Sequence, residues 1–284
     1  MELVVVAQNF GRGGLKTGAG VPEDRWPKLV DRVKEPDPDV VLGQEAEGWA
    51  AEGHRQLVRA EDDLEMDALL PPSRSGLGPV TLYRRDRLGR RRGWNTDYAK
   101  DEMHHGMGVA AFDVGLPALL AAVSLHLTPY SAAKAAMEAD FAASRAYKYG
   151  PYAIIGGDVN FSPQAGPDPR YEQMRPYNIG SRTVHTDPEL GLPLSPQRDV
   201  AWTLAANGFV DVAWHRYKQS GDEDLLRPTC AEDRIDQIWV SRALVPAITG
   251  YRLLDSPPGA SDHDGVAAVL DLSLAVTDDP WDYR

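Results

Sequence analysis

The stretch Tyr152-Ala153-Ile154-Ile155-Gly156-Gly157-Asp158-Val159-Asn160 decides how the whole chain is read. Apolar residues end on two glycines, and hydrogen-bonding side chains begin immediately after them. A short apolar run bounded by turn residues fits a strand buried on both faces, with the polar residues at its carboxyl end. The same arrangement recurs in both directions. The run at 3–7 stops at Gln8 and Asn9, the run at 40–42 gives way to Gln44 and Glu45, and the run at 119–125 stops at His126. In sheet-based α/β proteins ligands collect at the rim beyond strand ends, so several such ends would build one pocket.

Further strand-like runs at 80–83, 109–114, 235–240, 247–254 and 266–272 bring the series to nine, enough for one large sheet or two. Helical spacing occupies 23–34 (with Trp26, Leu29, Val30 and Val33), 132–149, and 197–207 ahead of Gly208. The alternation is irregular, which suits mixed α/β layers with hairpin-joined strands better than a strict β-helix-β wheel. No fixed-period repeat and no internal linker divides the chain, so one domain over residues 1–284 is expected. Residues 161–196 hold seven prolines and read as a long ordered loop facing the substrate. Residues 274–284 read as an acidic solvated tail, with Trp281 docked on the body.

Composition narrows the classes. With 284 residues, 43% of them hydrophobic, the chain can bury a substantial core. The net charge of −12 and a pI near 5.0 disfavour a protein that coats nucleic acid by bulk attraction, although a local basic patch stays open. Cys230 is the single cysteine, and the first residues lack a secretory pattern, so a cytoplasmic protein is expected. The most apolar window, 114–127, is 14 residues long and contains Gly115, Pro117, Ser124 and His126. A membrane span needs about 20 apolar residues, so none is expected. Nothing in the sequence calls for an obligate protein partner.

The strand ends together offer a Glu, an Asp, two Asn, two His and further Asp, without cysteine. Hard oxygen donors with one or two carboxylates suit a hydrated Mg²⁺ or Mn²⁺ and not a structural zinc. Such an ion completes its coordination with phosphate oxygens, which points to phosphoryl chemistry.

Six motifs stand in order from residue 8 to residue 263: Gln8-Asn9, Gly43-Gln44-Glu45, Ser124-Leu125-His126-Leu127, Gly157-Asp158-Val159-Asn160, Arg234-Ile235-Asp236 and Ser261-Asp262-His263. On these motifs the chain resembles the endonuclease/exonuclease/phosphatase superfamily. The resemblance implies a four-layer α/β/β/α sandwich of two mixed β-sheets, with one active site at the sheet rim. It implies that Glu45 is the principal metal ligand with Asn9 beside it, and that Asp158 orients or deprotonates the attacking water. Asn160 would help hold water and phosphate. His263, oriented by Asp236, would be the second acid/base or phosphate-binding group, with Asp262 near the metal or the same histidine. His126 would contact phosphate oxygens or assist the leaving group. The expected activity is Mg²⁺/Mn²⁺-dependent phosphodiester hydrolysis by a nuclease acting on DNA. A phosphatase or phosphodiesterase for a small phosphorylated molecule or lipid headgroup is the alternative, and a silent phosphate-binding module the third.

Two positions depart from the pattern: Gly11 stands where some apurinic endonucleases carry an acidic residue, and 73–79 offers no Glu to pair with His126. Within 161–196, Arg170, Tyr171, Arg175, Tyr177 and Arg182 mix cations with aromatics, a combination that binds phosphate and stacks bases or simply packs on itself. Six arginines in 84–92 read as a solvated hairpin tip turning at Leu88-Gly89, or as a phosphate-tracking patch. His104 and His105 would face opposite sides of a strand, which argues against a zinc site. Cys230 reads as an inert thiol or a pocket-lining one. Residues 11–17 are not a P-loop, because Leu15 takes the place of the glycine before the lysine.

Overall fold

The computed structural model describes residues 1–184, 189 and 195–278. In chain order its strands are β1 (Glu2–Asn9), β2 (Val40–Gln44), β3 (Asp67–Leu69), β4 (Val80–Tyr83), β5 (Gly93–Asn95), β6 (Met107–Phe112) and β7 (Leu120–His126). They continue with β8 (Ala153–Asp158), β9 (Thr183–Val184), β10 (Ser195–Pro196), β11 (Phe209–Asp211), β12 (Asp236–Ser241), β13 (Ile248–Leu254) and β14 (Gly265–Asp271). The helices are α1 (Trp26–Lys34), α2 (Arg55–Leu64), α3 (Arg85–Leu88), α4 (Ala132–Ala146), α5 (Pro176–Arg182), α6 (Asp199–Ala206) and α7 (Val212–Ser220).

Two mixed six-stranded sheets result, ordered β13-β14-β1-β2-β4-β3 and β11-β12-β8-β7-β6-β5. Alternation along β1 shows how they stack. Leu3, Val5 and Ala7 join Leu42, Phe112, Ile154 and Ile238 in the core between the sheets. Val6 points the other way, into a cluster with Trp26, Leu29 and Val33 of α1 and Ala60 and Leu64 of α2. The outer face of the second sheet packs Val123 and Ile155 against Ala135, Ala139 and Ala142 of α4 and Val200 and Leu204 of α6. Three apolar layers therefore separate four layers of structure, the α/β/β/α sandwich expected from sequence. Truncating a side chain in the central layer, such as Leu42→Ala, costs roughly 2–5 kcal/mol.

Gly156 lies on the face of β8 that is turned to the other sheet. A Cβ there would lie 2.6 Å from Leu42 Cδ1. Gly157 adopts φ 146°, and a Cβ would fall 2.0 Å from the Leu125 carbonyl oxygen. The double glycine thus lets β8 run between its neighbours and turn Asp158 to the rim.

Register brings the strand ends together. β1 and β2 are parallel, pairing Asn9 with Gln44, and β7 and β8 are parallel, pairing His126 with Asp158. β12 runs antiparallel to β8, so its first residue, Asp236, pairs with Asp158. β14 runs antiparallel to β1, so the turn carrying His263 also lies beyond the carboxyl end of β1.

The nine strand runs read from sequence are all strands. Other readings need correction. Residues 161–196 are not a featureless loop: Pro176 at the first turn of α5 starts a helix, and β9 pairs with β10. The arginine-rich 84–92 segment is not a hairpin tip. It crosses from β4 of one sheet to β5 of the other, with α3 in between and Gly89 at φ 68°. Of the expected tail, only 274–278 lies within the described residues; Trp281 lies outside them, as do 185–188 and 190–194 of the proline-rich segment.

Candidate active site

At the rim, Asn9 links two carboxylates. Its Nδ2 donates to Asp158 Oδ2 at 3.0 Å and to Glu45 Oε1 at 3.4 Å, while its Oδ1 accepts from Gly11 N at 2.9 Å. The backbone donor fixes the amide, so Asn9 turns its nitrogen to the acids. Glu45 Oε2 accepts from Arg12 N at 2.7 Å, leaving a half-buried carboxylate facing the cleft. Asp158 Oδ1 accepts from Asn160 N at 2.9 Å.

Glu45 and Asn160 both hold left-handed backbone, φ 56° and 63°. Asn tolerates that region through its short polar side chain, whereas Glu does so at a cost. Strain of this kind persists where surrounding contacts impose it, and it clusters at functional sites.

Asp158 is flanked by two imidazoles. His126 Nε2 lies 3.5 Å from Asp158 Oδ2, and His263 Nε2 lies 4.0 Å from the same oxygen. Behind them, His263 Nδ1 meets Asp236 Oδ2 at 2.8 Å, and Thr229 Oγ1 donates to that oxygen at 2.7 Å. Thr229 Oγ1 also accepts from the Ile235 and Asp236 amides, so the whole hydroxyl is spent on orienting Asp236. Burial alone lowers the basicity of His263. The adjoining Asp236 carboxylate outweighs that effect and, with Asp158, holds the imidazole well above its ordinary range.

Asn9, Glu45, Asp158, Asp236 and His263, drawn from five separate stretches of chain, thus form one connected set. Asn160 extends it: its Nδ2 donates to Leu127 O at 2.8 Å, and its Oδ1 accepts from Arg182 at 2.7 Å. Asp262 is exposed at the rim of the same cleft and makes no hydrogen bond to His263. The cleft has a volume of about 350 Å³ and joins, past Glu45 and Arg175, a second lobe of about 700 Å³ that includes Arg12 and Ser261.

The five loop residues divide. Arg175 and Tyr177 line the cleft, the guanidinium bonded to the phenol oxygen at 2.7 Å. Arg182 lines it from below, buried and paired with Glu232 at 3.0 Å. Arg170 instead faces a different cavity, beside Pro228 and Pro257. Tyr171 turns inward near Asp168 and Asp233, and burial pushes its hydroxyl up to about 12. The one-turn helix at Tyr171–Gln173 explains the split, since it aims Tyr171 away from the rim that α5 reaches.

Cys230 lines the cleft too, as a thiol that burial pushes up to about 12. Two further residues belong to the cleft: Tyr130, which stands in none of the motifs, is 70% exposed at its mouth, and His105, weighed from sequence only as a zinc ligand, is buried in its wall. His104 and His105 lie in the loop before β6, not on a strand, so the alternation argument applied to them does not hold.

The endonuclease/exonuclease/phosphatase family profile matches residues 19–263. The chain belongs to that family. No curated protein matches it in sequence. Among solved structures of the same fold, the family member from Bacteroides vulgatus is 14% identical, with a TM-score of 0.63 over 95% of this chain and 99% of that one. A humanised D. rerio TDP2 is 16% identical, with a TM-score of 0.62 over 95% and 99%. A variant of the 3′ phosphatase NExo from Neisseria, solved with a product DNA hairpin, is 14% identical, with a TM-score of 0.62 over 95% and 99%. These likenesses establish that the family sandwich runs through nearly the full length of the chain.

The donor set can also be tested for an ion. Asp158, Asp236 and His263 present ligand atoms within 4.8 Å of one another, but Asp236 Oδ2 and His263 Nδ1 are already bonded to each other. That trio is a hydrogen-bonded Asp236–His263 pair that faces Asp158 across 4.0 Å, a relay and not an open cage. Each oxygen of Glu45 and Asp158 accepts one hydrogen bond and keeps a second lone pair, and the two carboxylates, held by one amide nitrogen at the cleft, fit a hard divalent cation that keeps part of its water.

Proposed function

We propose that the chain is a Mg²⁺/Mn²⁺-dependent phosphodiester hydrolase, and that its substrate is DNA. The observation that carries this reading is Asp158, a buried carboxylate set between His126 and His263 and tied through Asn9 to Glu45. A phosphodiester resists hydrolysis because its charge repels nucleophiles, so a site needs positive charge on the non-bridging oxygens and one aimed water. Glu45, with Asp158 beside it, would hold the ion, which when bound neutralises phosphate charge.

The remaining work belongs to side chains. Asp158 orients the water, and either it or His263 takes the proton. Asp236 keeps His263 in one tautomer, its Nε2 toward the cleft, and supports the imidazolium form that donates to a phosphate oxygen. His126 approaches from the other side. Asn9 holds the two acids in place, and Arg182 braces Asn160. The neighbours bound to DNA, a D. rerio TDP2 with a single-strand product and the Neisseria phosphatase with a hairpin, favour nucleic acid for this chain as well.

A second reading, a small phosphorylated substrate, is favoured by the placement of the arginine cluster. Arg84, Arg85, Arg87 and Arg92 pair with Asp37, Asp67, Asp39 and Asp113. They sit at the rim opposite Asp158, since Tyr83 pairs with Val40, at the start of β2. They cannot track a strand entering the cleft.

Metal-stripped and Mn²⁺-loaded protein should be assayed on plasmid, single-stranded DNA, abasic duplex and small phosphate esters. Metal-dependent cleavage of DNA supports the first reading, and turnover confined to small esters selects the second. Equal cleavage with and without metal overturns both.

A further inference from the structure

The wall of the cleft beside Asp158 is built from two stacked histidines. The rings of His105 and His126 lie 3.9 Å apart between centroids and 8° from parallel. His104 meets His105 edge-on, and Tyr130 meets His104 edge-on, so the rings continue to the cleft mouth.

The pair is gripped at four points. His105 Nδ1 lies 2.7 Å from Ser75 Oγ, and that hydroxyl accepts from Leu77 N at 3.1 Å. Leu77 O in turn lies 3.3 Å from His126 Nδ1. The backbone before His105 and the backbone after His126 end on one buried carboxylate: His104 N donates to Glu138 Oε1 at 2.7 Å, and Thr128 N donates to Glu138 Oε2 at 2.8 Å.

A carbonyl oxygen only accepts, so this bond places a proton on His126 Nδ1 and leaves Nε2 for the cleft. One bond at 3.3 Å fixes a direction but does not fix the ring's rotation about it. The face of a second ring does. Residues 73–79 lack the carboxylate that could have paired with His126, and here a carbonyl and a stacked imidazole take its place.

We infer that His105 is a positioning residue for His126, a rigid shelf that sets the plane in which His126 Nε2 meets the reacting phosphoryl group. This inference rests on the hydrolase reading above. Burial, reinforced by repulsion from His126 and His104, keeps His105 far less basic than an ordinary histidine, so the shelf is a neutral ring. A neutral aromatic face can support the neighbouring imidazole in either charge state, whereas a second cation at this distance would repel one.

His105→Phe keeps a flat ring and removes both nitrogens; His105→Ala removes the shelf. Both variants should be compared with wild type on bis(p-nitrophenyl) phosphate with Mn²⁺, with thermal melts to confirm folding. Histidine ¹⁵N spectra of His126 should be recorded alongside. The expected result is a kcat lowered about tenfold or more in the Ala variant with KM little changed, because misplacement of a reacting group alone costs up to about 10²-fold. The Phe variant should recover most of that loss. His126 should keep a defined Nδ1–H signal in wild type and the Phe variant and show an averaged one in the Ala variant.

Wild-type turnover in the Ala variant, or a folded Phe variant as impaired as Ala, overturns the inference. So does a His126 spectrum unchanged in Ala. If Ala does not fold, Phe alone decides by its kcat and spectrum. Absence of diester turnover in wild type would sink the hydrolase reading, while the spectra, which need no turnover, would still decide the role of His105.

Discussion

His263 Nδ1 lies 2.8 Å from Asp236 Oδ2 beneath the cleft, the closest approach of an imidazole to a carboxylate in the site. The pair has a thermodynamic consequence. The carboxylate raises the basicity of His263 in the folded protein, so the folded state holds that proton more tightly than the unfolded chain does. Its contribution to stability is present in full below the unfolded pKa of about 6.5 and is lost as pH rises through the higher folded value. Urea midpoints of the metal-free protein should therefore fall with increasing pH above about 6.5. His263→Gln should flatten that part of the curve. An unchanged slope in the variant would show that the pair does not carry the effect.

Chemistry should fail before folding does when the relay is cut. Asp158→Asn and His263→Ala are each expected to lower kcat by at least about 10²-fold in protein that still unfolds cooperatively. Melting temperatures should be lowered, because an Asp158 acceptor is replaced by a donor in the first variant and Asp236 loses its partner in the second. Asn9→Ala acts differently, since Asn9 touches Asp158 and Glu45 through its nitrogen and would serve as an outer support. Calorimetric titration with Mn²⁺ should show affinity weakened by roughly 10–100-fold in that variant. Unaltered Mn²⁺ binding would remove Asn9 from the ion's surroundings.

Much of this site was legible in the sequence because strand ends are marked by abrupt changes of polarity. Asn9, Glu45, His126 and Asp158 each follow an apolar run, and Asp236 and His263 belong to short ordered motifs. What sequence did not disclose depends on rotation and depth. Whether Asn9 offers oxygen or nitrogen to its neighbours is decided by the Gly11 amide, a contact no spacing encodes. Arg182 and Tyr171 look alike as loop residues, yet α5 carries one under the cleft and a single helical turn carries the other into the protein. His105 was hidden by treating its loop as a strand.

Arg182 is a brace whose removal should be felt in stability as well as rate. Its guanidinium is 6% exposed and bonds both Asn160 Oδ1 and Glu232 Oε1. Breaking a buried pair by deleting one partner costs about 3–5 kcal/mol, much of it from the charge left behind. Arg182→Met should lie near that figure in urea denaturation and lower kcat by freeing Asn160. Adding Glu232→Gln should recover part of the stability but not the rate. Full recovery of both would show that Asn160 needs no brace.

Cys230 lines the cleft yet should behave as an inert group. Burial pushes its thiol up to about 12, and its Sγ sits 3.3 Å from the Asp233 carbonyl oxygen. The thiolate is the reactive form, and at pH 8 almost none is present. Iodoacetamide should modify the native protein far more slowly than the urea-unfolded chain, and Cys230→Ala should leave kcat within about twofold. Rapid native alkylation with loss of activity would instead place a reactive thiol at the site.

Glu138 offers the sharpest test of how the scaffold holds the histidine wall. It lies on α4, fully buried, and its two oxygens receive the His104 and Thr128 amides, one preceding His105 and the other following His126. Glu138→Gln keeps one acceptor oxygen and turns an amide nitrogen toward the other backbone N–H, so one bond becomes a donor-donor conflict. An unsatisfied buried donor costs about 1–3 kcal/mol, and Glu138→Ala, which strands both, should cost more than Gln. Amide hydrogen exchange gives the local readout: His104 and Thr128 should exchange faster in both variants while the central strands stay protected. Because neither amide touches substrate, any drop in kcat that accompanies the faster exchange reports motion of the two histidine-bearing segments. Loss of protection across the whole protein would mean that Glu138 supports the fold at large and not this wall.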